Sequence, residues 1–156
     1  MTEQTSFDIK FRLAYSYHLE YFTSVLLRRF DKFLLFIQFV LGSAVVTDRG
    51  PSFVYGVLVA VIAGLQFVIK PGEVAGAAKQ QARHYSELLD DYIAEAIDTD
   101  TVRKKIKIIE KSDSDAPASL KAPAWNAAAI SLDSEGRDAT NLLGRFFIWL
   151  CGERCD

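Results

Sequence analysis

The sequence predicts an all-α membrane protein: an antiparallel two-span transmembrane hairpin with flanking cytosolic helices, assembled as an oligomer. Three observations predict it. Two apolar runs, residues 33–46 and 53–69, contain no charged side chain and are joined by a short polar connector. Basic residues lie outside the pair, with Arg28, Arg29 and Lys32 before it and Lys70, Lys79 and Arg83 after it. Small residues, Gly56, Ala60 and Gly64, recur every fourth position along the second run.

The polar, partly acidic start of the chain is not a cleavable signal peptide. Residues 7–32 contain no glycine or proline and predict a helix. Phe11, Tyr15, Tyr21 or Phe22, Val25 and Leu26 outline a broad apolar face at helical spacing. Its aromatic density suits a membrane interface and equally suits packing on neighbouring helices.

The hairpin covers residues 30–70. The first run is short for a span, and reaches span length only as residues 30–47, with Asp31 and Lys32 at headgroup level and the lysine stem snorkelling. The second run would rise roughly 25 Å as a helix, at the short edge of a hydrocarbon core of about 30 Å. Asp48, Arg49, Gly50 and Pro51 form a turn, and Pro51 suits a helix start. The outer position of the basic residues places both termini on the cytosolic side, with Arg28, Arg29, Lys32 and Lys70 as interface anchors. Gly56, Ala60 and Gly64 form a stripe on which another helix can approach closely.

Gln38 and Gln66 fall at similar depth in such a hairpin. A side-chain amide in an apolar setting costs a few kcal/mol unless it finds a partner, about 2–7 by reference state. Two readings follow. The glutamines bond to one another and lock the hairpin, or they line a water-filled path made by several hairpins. Two helices cannot enclose a channel, so any pore needs an oligomer. A soluble helical bundle burying the same runs is the competing fold.

Pro71 and Gly72 end or bend the second run. A cytosolic helical region follows over residues 74–111, with Ala75, Ala78, Ala82, Tyr85, Leu88 or Leu89, Tyr92 and Ala96 at helical spacing. It carries Lys79 and Arg83 in its first turns, is acidic from Glu87 to Asp100 and basic from Arg103 to Lys111, a pattern that allows pairing within or between chains. Residues 112–138 form a polar linker around a short structured segment containing Pro123 and Trp125. Residues 139–150 form a final amphipathic helix, too short and too charged at Arg145 to span.

No catalytic residue, cofactor site or metal site is predicted. His18 and His84 lack companions at metal-binding spacing, Cys151 and Cys155 lack further ligands, and no phosphate-cradling glycine loop is present. With 18 basic against 20 acidic residues, no nucleic-acid partner is predicted.

Residues 13–92 resemble the SLATT group of bacterial two-transmembrane effector domains. The resemblance rests on a tyrosine-rich helix with Tyr15, Tyr17 and Tyr21, the hairpin, and a following helix bearing His84, Tyr85, Leu88 and Leu89. Ala122, Pro123, Ala124 and Trp125, followed by alanines at 127–129, resemble the tail of some members. The resemblance implies an oligomeric inner-membrane effector, both termini cytoplasmic, that forms a pore or disrupts the bacterial membrane in antiviral defence or conflict. Its implied partners are further copies of itself, membrane lipid and an upstream sensor or nucleotide-signalling protein. The residues leave two alternatives open: a membrane-anchored scaffold or interaction protein without permeation activity, and a soluble helical interaction module.

Overall fold

The computed structural model describes residues 2–46, 51–134 and Trp149. Helix α1, Thr2–Val46, is a single helix of 45 residues. With no proline and no glycine before Gly42, nothing in its sequence breaks it, and it extends about 68 Å. It therefore fuses the expected N-terminal helix and the first apolar run into one rod. Helix α2, Ser52–Ile69, follows Pro51. Helix α3 is Pro71–Ile93, α4 is Thr99–Ile109, and α5 is Lys121–Ser131. Short 3₁₀ turns at Glu110–Ser112 and Ala118–Leu120 carry the chain from α4 to α5.

Local signals set the joints. Lys70 has φ 46°, and its N–H closes α2 on the carbonyl of Gln66 at 2.9 Å. Pro71 then begins α3, where the missing N–H of a first-turn proline costs nothing. Asp98 caps α4 by accepting from the N–H groups of Asp100 and Thr101 at 3.2 and 3.3 Å.

Four helices, α1, α3, α4 and α5, make a packed bundle. One core cluster joins Ile9 and Leu13 of α1 to Tyr85, Leu88 and Tyr92 of α3 and Val102 and Ile106 of α4. A second sets Phe22 of α1 against Leu120, Ala124 and Ala127. Small residues on two helices allow close approach to α1. Ala75, Ala78 and Ala82 are buried on α3, and Ala124, Ala128 and Ala129 on α5. Among the described elements the most extensive interface runs between α1 and α3.

That architecture corrects the expected two-span hairpin. Among the described residues only one helical stretch, Ser52–Ile93, is long and apolar enough to cross a membrane, through its α2 part. Within the described residues the apolar end of α1 does not qualify, since its last 18, residues 29–46, take in Arg29, Asp31 and Lys32. The expected placement in an inner membrane with both termini cytoplasmic falls with it. Two ends on one side require an even number of crossings, and the described residues supply a single candidate.

Candidate functional site: a polar seam, a latched linker and an exposed apolar surface

The apolar end of α1 lies along α2. On α2 the half-buried positions are Ser52, Tyr55, Val59, Ile62 and Gln66, a three- and four-residue spacing that marks one face turned to α1. Gln38 Nε2 donates to Gln66 Oε1 at 2.7 Å, and Gln66 Nε2 donates to Asp31 Oδ1 at 3.1 Å. The seam is thus a relay of three side chains in which each amide meets a partner from this same chain. Gly72 also comes close to Asp31, since a Cβ added there would lie 3.1 Å from Asp31 Oδ2.

Gln38 and Gln66 thus make an interhelical polar contact across the α1–α2 seam. The sequence reading missed Asp31, which it had placed at a membrane surface. The signal was present: Asp31 precedes Gln38 by two helical turns and so shares its face.

Gly56, Ala60 and Gly64 lie on the opposite side of α2. All three are exposed, and a Cβ on either glycine would meet nothing within 4 Å. The stripe therefore makes no contact with α1. Arg28, Arg29 and Lys32 are exposed on α1. Lys70 pairs with Glu73 at 3.1 Å beside the bend between α2 and α3.

No residue of α2 is buried. Phe53, Phe67 and Val68 are each more than three-quarters exposed, and Phe36 and Phe39 on α1 extend the same apolar surface. Surface of this extent on a folded chain marks an interaction site.

A second polar constellation fastens the α4–α5 linker over the seam between α1 and α3. Glu20 is 2% exposed. It accepts from the Ser114 backbone N–H at 2.8 Å and from the Ser114 hydroxyl. Asp113 accepts from the Tyr85 hydroxyl at 2.8 Å and from Gln81 Nε2 at 2.8 Å. Gln81 Nε2 also donates to the Ile109 carbonyl, and Arg12 pairs with Glu110. Four side chains from α1 and α3 thus grip one short stretch of linker.

Burial raises the Glu20 carboxyl above its ordinary value; the two Ser114 bonds oppose this and the Asp113 charge adds to it. Burial, helped by the Asp113 carboxylate, pushes the Tyr85 hydroxyl well up, so it stays a proton donor to Asp113. Burial lowers His18, whose ring lies against Tyr17 and Phe22 and whose Nδ1 is buried without a hydrogen-bond partner. Sequence reasoning gave Glu20, Ser114 and Asp113 no role, because their positions are far apart in the chain and only the fold joins them.

His84 is exposed on α3. Among the described residues no group of three or more histidine, cysteine, aspartate or glutamate side chains converges as a metal site would. Cys151 and Cys155 lie outside the described residues. No family model, curated protein or solved structure matches the chain, so the resemblance to SLATT domains rests on its sequence pattern alone.

Proposed function

We propose that the chain is a non-catalytic helical interaction module, a scaffold whose bundle holds an exposed apolar helix in a fixed position. It replaces the expectation of a pore-forming or membrane-disrupting antiviral effector. That expectation needed two spans, and the described residues offer one candidate. The observation that carries the proposal is the contrast between two parts of one chain. The bundle buries its apolar residues in two clusters, whereas α2 buries none. A helix of that composition, braced by a polar seam and left uncovered, is built to meet an apolar partner.

One observation favours a specific form of this reading. The exposure of α2 extends round its free sides, and its length and composition meet the requirement for crossing a membrane. In that form α2 anchors the scaffold and the bundle carries the interactions.

Cell fractionation, chemical cross-linking and dye-filled vesicles test the proposal together. The expected result is cross-linked species that depend on α2, lost on replacing Val57 and Val61 by serine, with no dye release. Recovery in the membrane fraction after a high-salt wash selects the anchored form; recovery in the high-speed supernatant selects the unanchored one. Dye release by the purified protein would sink both, as would a complete absence of cross-linked species.

A further inference from the structure

The N-terminal end of the bundle carries an open groove of about 330 Å³. Phe7, Phe11 and Tyr15 line it from α1 at i, i+4 and i+8, one stripe of a helix. Trp125 of α5 closes the other side. Its ring centroid lies 4.4 Å from that of Phe11 in an edge-on arrangement, and 6.0 Å from that of Tyr15. Phe7 and Trp125 each pack on Phe11 yet remain 42% and 41% exposed. Asp8 and Arg12 add a carboxylate and a guanidinium to the wall.

The chain itself supplies an occupant. Ser134 lines the groove, and beyond Ser134 lies the apolar segment 139–150. We infer that residues 139–150 dock in this groove and cover Trp125, closing the bundle with a fifth element in cis. Helical spacing sets Leu143, Phe146, Phe147 and Leu150 on one face and Arg145 on the opposite one. Trp149 falls off that apolar face; it is helical and 73% exposed. The connection from Ser134 to residue 139 reaches at most about 18 Å, which keeps the segment beside the groove. A tether that short gives an effective concentration on the order of millimolar, well above that of any second copy.

Trp125 reports on the docking once Trp149 is replaced by phenylalanine. In the full-length Trp149→Phe chain, Trp125 fluorescence is expected to be blue-shifted and poorly quenched by acrylamide. Adding Phe146→Ser and Phe147→Ser should red-shift it and raise the quenching constant severalfold, with helicity retained. A second, independent measurement uses Asp8→Cys with Phe147→Cys in a Cys151→Ser, Cys155→Ser background and a short bismaleimide. Intramolecular cross-links are the expected product. Equal quenching with and without the two serines would overturn the inference. Cross-links only between chains would also overturn it, by assigning the groove to a second copy. Protection of Trp125 only on adding phospholipid vesicles would overturn it too, by assigning the groove to lipid.

Discussion

Removing the Glu20 side chain tests the linker latch directly. Glu20 is buried and accepts two bonds from Ser114, through the backbone N–H and the hydroxyl. Alanine leaves both donors without their acceptor at a partly buried position. Hydrogen bonds to a charged acceptor are worth about 1.5–3 kcal/mol each, and relief from burying a carboxylate returns part of that. The net loss expected for Glu20→Ala is about 2–3 kcal/mol, or about 5–10 °C in Tm for a chain of this size. Glu20→Gln keeps the shape. Its carbonyl accepts from the Ser114 N–H and its amide donates to the Ser114 hydroxyl, so the cost should stay within about 1 kcal/mol.

The pH dependence separates the two substitutions further. The folded Glu20 carboxyl is raised above its unfolded value of 4.5. The folded state therefore holds that proton more tightly. The linked stability is fully present below pH 4.5 and is lost as pH rises through the folded value. Glu20→Gln should remove this component, so its stability relative to the parent improves from acid toward neutral pH. Thermal unfolding followed by circular dichroism at several pH values measures both effects. A Glu20→Ala chain as stable as the parent, or a glutamine variant as damaged as the alanine one, would refute the latch.

Three more outcomes are expected. Gln66→Leu strips a partner from both Gln38 and Asp31 and should cost about 1–2 kcal/mol; adding Gln38→Leu should cost less than the sum of the two single changes, by thermal melts, and strict additivity would count against the relay. His18 is lowered from 6.5 by burial, so the stability it controls is present above pH 6.5 and lost as pH falls through the folded value; His18→Phe should flatten that loss, and an unchanged pH profile of Tm would show that the ring is not the cause. Asp98→Ala removes the N-cap of α4 and should cost about 1 kcal/mol, seen as faster amide exchange over residues 99–102, with unchanged exchange refuting the cap's contribution.

Sequence and structure divide the credit for this protein in a definite way. Helical spacing in α3 is legible from Ala75, Ala78, Ala82, Tyr85, Leu88 and Tyr92, because a helix that buries one face must repeat its apolar residues near every 3.6 positions. The turn at Pro71 and the lack of any breaker before Gly42 are legible too, since backbone geometry at proline and glycine is local. The proximity of Gln38 and Gln66 follows from their distances to the connector. Local rules could not say what covers an apolar run. Residues 33–46 carry the same kind of side chains as a span, yet they form the end of a 45-residue helix whose first half is gripped by α3 and α5. Nor could spacing show that Gly56, Ala60 and Gly64 turn away from α1, since a stripe has a direction only once its helix has a neighbour. Glu20 and Ser114, 94 positions apart, became partners only through the packing of α1 against α3 and the return of the linker across that seam. Periodicity and breakers are properties of adjacent residues, so the sequence by itself determined where the helices run. Which faces meet, and which apolar surface stays uncovered, depends on contacts between distant segments, and only the tertiary structure decided it.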